Sequence, residues 1–208
     1  MLKIGLEVEF FGAINGLIVN VAKHGIPHDE YPLLAEARGL ANTDVYQAVA
    51  SVRGEIEKIV ESMKLAGITP LFENWIKKDK HTDALHDEIL RSGIHKHIGY
   101  RNLTQKTVSR KNKSYLAAGL HVSLTKGNSF HYTNENKVSS SHNYNELFDF
   151  PLIFNKISEE FKNEMAESER VPGFYEVKSD GRVEYRSLPA NIIFNQLFAA
   201  RLNKCIKL

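Results

Sequence analysis

The sequence has one cysteine, one tryptophan and three methionines. It also has no long apolar run and almost no excess of either charge. A lone Cys205 rules out an intrachain disulfide and a multi-cysteine zinc site, and fits a reducing, cytoplasmic setting. No apolar stretch approaches the roughly 20 residues that cross a bilayer, so no membrane partner is expected. The chain opens on an alternating pattern rather than a charged stretch followed by an apolar one, so secretion is not expected either. A net charge of +2 is too small to argue for nucleic acid. What remains is the composition of a folded chain: 208 residues, 42% hydrophobic and 25% charged, enough for one good core. A single domain spanning 1–208 is expected.

Charge is unevenly spread. Residues 76–113 hold ten basic against four acidic side chains, and residues 1–75 hold six against ten. The basic segment has few aromatics, so a base-stacking surface is poorly supported. It reads either as a solvated loop or as a cradle for an anion such as a nucleotide phosphate. Lys126 to Asn145 is polar and without period, which predicts a long mobile loop.

Leu2 to Phe11 alternates, with Leu2, Ile4, Leu6, Val8 and Phe10 on one side and Lys3, Gly5, Glu7, Glu9 and Phe11 on the other: a half-buried strand. Asp44 to Leu65 repeats apolar residues at three- and four-residue spacings, a helix capped by Asn42 or Thr43 and stopped by Gly67. Further helices are predicted from Pro151 to about Glu167, capped by Asp149, and from Asn191 to about Lys204, with Ile193, Leu197 and Ala200 inward. Strands are predicted at Tyr31–Arg38, Pro70–Trp75 and Tyr115–Thr125, with a hairpin at Phe174–Leu188. Helices and strands do not alternate strictly. The expected class is α+β: a curved, mainly antiparallel sheet with helices packed on one face.

The polar faces of these strands carry the chemistry. In the hairpin, a three-residue loop Ser179-Asp180-Gly181 pairs like with like. Val177 faces Val183 and Tyr175 faces Tyr185 toward the core, while Glu176 faces Glu184 and Lys178 faces Arg182 on the other side, with Arg186 beside them. His121 and Ser123 share the polar face of their strand, and Glu36 and Arg38 that of theirs. Any one of these reads as the wet face of an antiparallel sheet. The set reads differently. Glu7 and Glu9 lie about 6–7 Å apart on one strand face, close enough to bind neighbouring cations. Carboxylates with a single imidazole suit Mg²⁺ or Mn²⁺, which makes a divalent-metal phosphate site the sharpest hypothesis.

Three stretches carry a resemblance: Gly5-Leu6-Glu7-Val8-Glu9, Ala118-Gly119-Leu120-His121-Val122-Ser123 and Val183-Glu184-Tyr185-Arg186-Ser187-Leu188-Pro189. In that order they resemble the carboxylate–amine ligase superfamily of glutamine synthetase and glutamate–cysteine ligase, above all its compact phage-encoded amidoligases. Tyr31 to Arg38 is similar to the intervening acidic strand of these proteins. The resemblance implies a glutamine synthetase-like sheet that binds ATP with Mg²⁺ or Mn²⁺ and joins a carboxylate to an amine through an acyl phosphate. It makes Glu7, Glu9, His121, Glu184 and Glu36 metal ligands and gives Arg186 the transferring phosphoryl group, with Glu184 also at the reacting centre. Arg38, Arg182 and Ser123 fall among the nucleotide-binding residues, and Ser123 stands where many relatives have a second histidine. The hairpin register adds Glu176 to the ligands, and Asp44 is a weaker candidate. Two other readings stand beside it: a non-catalytic nucleotide- or nucleic-acid-binding relative that works through its basic segment, against which the acidic cluster argues, and a metal-dependent phosphohydrolase that uses the same ligands with water as acceptor.

Overall fold

The computed structural model describes residues 2–29, 31–91, 115–126, 149–177 and 182–207. The expected loop beyond Lys126, most of the basic segment, Lys178 and the hairpin turn lie outside these residues.

The alternating N-terminus forms β1 (Leu2–Ile14), followed by β2 (Leu17–Ile18), a 3₁₀ turn at Val21–His24 and β3 (Leu34–Arg38). Next come α1 (Val45–Leu65), β4 (Thr69–Leu71), β5 (Trp75–Lys77) and α2 (Lys80–Arg91). The remainder is β6 (Tyr115–Ala117), β7 (Gly119–Lys126), α3 (Asp149–Glu160), α4 (Lys162–Glu167), β8 (Tyr175–Val177), β9 (Val183–Pro189), a 3₁₀ turn at Ala190–Phe194 and α5 (Phe198–Ile206). Among the described residues β1 lies in a curled seven-stranded sheet, ordered β2-β1-β7-β9-β8, with β3 and β4 also paired to β1. Every pairing is antiparallel. β5 and β6 form a separate two-stranded sheet. The class is therefore mixed α+β, as the irregular order of elements predicts.

The core lies on the apolar face. Leu6, Val8, Phe10, Leu120, Val122, Leu124 and Tyr185 are fully buried there, and α1 and α3 bring Val49, Val52, Ile56, Ile153, Phe154 and Ile157 into the same core. Phe154 of α3 lies 5.3 Å from the Tyr185 ring, whose hydroxyl hydrogen-bonds with Ser158. Burying each large side chain contributes roughly 1.5–3 kcal/mol, so this face is what makes the sheet persist. No helix among the described residues is long and apolar enough to cross a membrane.

Several boundaries differ from expectation, each for a local reason. Asp44, not Asn42 or Thr43, caps α1: its Oδ1 accepts the Gln47 N–H at 3.0 Å, while Asn42 Oδ1 accepts the Asp44 N–H. Gly67, at φ +71°, ends the helix as predicted. The helix predicted from Pro151 breaks at Phe161 into α3 and α4, and begins with Asp149 already inside it. The one predicted from Asn191 splits at Asn195 into a 3₁₀ turn and α5, which turns Leu197 outward at 64% exposure and puts Phe198, Leu202 and Cys205 inward. Pro70–Trp75 divides because Asn74 bonds elsewhere, accepting Ala118 N–H on its carbonyl and Ala190 N–H on its side chain. The same bond interrupts the next strand at Ala118. Tyr31–Leu33 forms a turn, closed by the Leu34 N–H on the Tyr31 carbonyl, before β3.

Candidate metal centre

Register brings the predicted residues together. Across β1 and β3, Glu9 pairs with Glu36 and Glu7 with Arg38; across β1 and β7, Glu7 pairs with His121 and Gly5 with Ser123. Ser123 pairs in turn with Glu184, and Glu184 with Glu176, in the hairpin register read from the sequence. Directly opposed residues share a face with Cβ atoms about 4.5–5.5 Å apart, so five adjacent strands deliver acids, a histidine and arginines to one surface. The β7–β9 pairing shifts between Leu120, opposite Leu188, and Val122, opposite Tyr185, which leaves both Arg186 and Ser187 facing His121. The extra residue lets Tyr185 and Leu188 both reach the core while Arg186 stays on the polar face.

Ligand atoms of Glu7, His121 and Glu184 lie within 4.8 Å of one another. His121 Nδ1 is 3.8 Å from Glu7 Oε2, and its Nε2 is 3.8 Å from Glu9 Oε2. Burial, and then the Arg186 guanidinium, push the imidazole well below its ordinary range, so it is the neutral, lone-pair form that ligates metals. Glu9 accepts the Gly119 N–H at 3.1 Å. Glu36 is pushed up to about 8 by burial and by the charges of Asp29, Glu7 and Glu9, against the opposing pull of Arg38.

Three arginines frame the acids. Arg186 Nη1 donates to Glu184 Oε2 and to Glu176 Oε2, each at 2.9 Å. Arg38 Nη2 stands 2.7 Å from Glu36 Oε2, and Arg38 and Arg182 approach Glu7 Oε1 at 3.8 and 3.4 Å. Ser123 is buried, and its hydroxyl donates to Glu184 Oε1 at 3.4 Å, behind a candidate ligand. Glu176 sits at the exposed edge of the group. Asp44 is exposed and spends its side chain on the α1 cap.

Such a face could simply pair its own charges. Burial argues otherwise. Glu9 and Glu184 are both under a tenth exposed, and taking a charged group from water costs several kcal/mol that a salt bridge alone often fails to return.

Two residues were missed by sequence reasoning. Asp29, buried just before β3, raises Glu36 by its charge; only its place in a polar turn hinted at it. Arg170, buried after α4, donates from Nη1 to the Arg186 carbonyl at 2.9 Å and from Nη2 to the Ala118 carbonyl. Burial lowers its guanidinium to about 10, still charged at neutral pH. No motif contains it. No family model matches the chain, and no curated protein matches it.

Proposed function

We propose that the protein is an ATP-dependent carboxylate–amine ligase with a glutamine synthetase-like fold, forming an amide bond through an acyl phosphate and using Mg²⁺ or Mn²⁺. The observation that carries this reading is the convergence of Glu7, His121 and Glu184 on one polar sheet face. The donor set fits the cation: two carboxylates and a neutral imidazole suit Mg²⁺ or Mn²⁺ better than a structural zinc site. Glu9 and Glu36 stand next to the triad, and Glu36 is raised by its burial first and then by the charges of Asp29, Glu7 and Glu9, with Arg38 pulling the other way. Bound cations would supply neutralisation of the phosphate oxygens.

The chain's own residues take the other roles. Arg186, fixed between Glu184 and Glu176, is aimed to stabilise charge that grows on the transferring phosphoryl group. Arg38 and Arg182, the more exposed arginines, flank Glu7 where an anionic nucleotide can reach them. Ser123 holds Glu184 in place. The partners are ATP, a carboxylate and an amine.

The test is ADP release from Mg²⁺-ATP, with a pool of small carboxylic acids and hydroxylamine as a generic amine. Release that needs both, with a hydroxamate product, is expected. Phosphate release with water as the only acceptor would move the assignment to a phosphohydrolase, and inertness under all conditions to a binding protein.

A further inference from the structure

Arg170 packs against Gly119, two residues before His121 on β7, and lies outside every motif. It is 5% exposed, and its Nε is buried without a hydrogen-bond partner among the described residues. An unmet buried donor is destabilising, so the placement calls for a return. Its surroundings are built: the guanidinium carbon lies 5.7 Å from the centre of the Trp75 ring, and Trp75 is itself pinned by donating to the Ser168 carbonyl at 2.6 Å.

One of the two carbonyls it clasps lies on β9 and the other just before the start of β7. One is that of Arg186. The other is that of Ala118, immediately before Gly119, whose N–H holds Glu9. Between these anchors the β7–β9 ladder shifts opposite His121. The fit leaves no slack: a Cβ on Gly119 would lie 2.6 Å from Arg170 Nη2 and 3.0 Å from Nη1. Arg53 offers a comparison, since it grips the Ile193 and Asn195 carbonyls in the same manner, with no site residue attached.

We propose that Arg170 is a positioning residue of the cation site, clasping β7 and β9 at the bulge so that Glu9, His121 and Arg186 keep their mutual placement. This rests on the cation reading above. Its sign separates it from a plain charge effect. A guanidinium near a cation repels it, so charge alone predicts tighter metal binding when Arg170 is removed, whereas loss of positioning predicts weaker binding.

The experiment is Mn²⁺ titration of the full chain followed by electron paramagnetic resonance, with thermal unfolding in EDTA as the measure of stability. Arg170→Met is expected to weaken Mn²⁺ by about 10–100-fold, the usual cost of losing a group that orients metal ligands. Arg170→Lys keeps the charge but cannot fork to both carbonyls, and is expected to weaken it too. Arg53→Met is expected to lower stability and leave Mn²⁺ affinity unchanged. Equal or tighter Mn²⁺ binding in Arg170→Met overturns the proposal, as does an Arg53→Met loss of affinity as large as that of Arg170→Met. Should Arg170→Met not fold, Gly119→Ala presses on the same fork with Arg170 in place: weakened binding supports the proposal and unchanged binding overturns it. Failure of the unaltered protein to bind Mn²⁺ overturns the cation reading and this inference together; equal binding by it and Arg170→Met overturns this inference alone.

Discussion

Glu7 on β1 stands directly opposite His121 on β7, and the imidazole Nδ1 lies 3.8 Å from Glu7 Oε2. The separation is longer than a hydrogen bond, and the imidazole is held neutral, so the pair is not a salt bridge. With Glu184 it leaves a gap that a cation can join. The first prediction follows from that gap. Glu184→Gln keeps the size of the side chain but loses its charge, and should weaken Mn²⁺ by more than about 100-fold, exceeding the usual loss for an indirect partner. Circular dichroism and thermal unfolding should show the fold retained.

Arg186 should separate binding from chemistry. Arg186→Ala is expected to keep affinity for a non-hydrolysable ATP analogue within a few-fold while ATP turnover falls by about 10³-fold or more, the scale of an arginine that acts on a transferring phosphoryl group. Single-turnover kinetics beside calorimetry reads both. Equal losses would make Arg186 a general binding residue.

Glu36 sets a pH dependence in the metal-free protein. Its folded value, near 8, is above the ordinary 4.5, so between these values the folded chain holds a proton that the unfolded chain has lost. Its contribution to stability is complete below about pH 4.5 and disappears as pH rises through about 8. In EDTA, Glu36→Gln should flatten the decline in denaturation midpoint across that window. A wild-type slope persisting in the variant would assign the decline to other groups.

Asp44→Ala should cost about 1 kcal/mol, the usual value of a lost helix cap, and leave Mn²⁺ affinity unchanged. Urea unfolding and metal titration check the two halves separately. A loss of affinity would return Asp44 to the site.

The face-by-face reading of the strands was legible because a period of two needs only sequence: the pairing of Glu176 with Glu184 comes from alternation and one turn length, and alternation alone puts Glu7 with Glu9 on one face of β1 and His121 on the polar face of its own strand, while the pairing of β1 with β7 that joins these faces is not a local pattern. The helix breaks were not. Nothing in the apolar spacing from Phe154 to Met165 marks Phe161, since its side chain stays buried where the backbone leaves the helix. Leu197 fits the helical stripe by period, yet the chain turns at Asn195 and resets it. Asn74 divides a predicted strand by bonding to segments far along the chain. Arg170 and Asp29 reach the site by packing alone, and no local pattern announces such a placement.

The central claim, a cation-dependent nucleotide site on the polar sheet face, is tested most directly by calorimetric titration of the full chain with a non-hydrolysable ATP analogue, with and without Mg²⁺ or Mn²⁺. Binding that appears only with the cation, and is lost in Glu184→Gln, is the predicted result. Binding that is indifferent to the cation, or absent with it, would contradict the account.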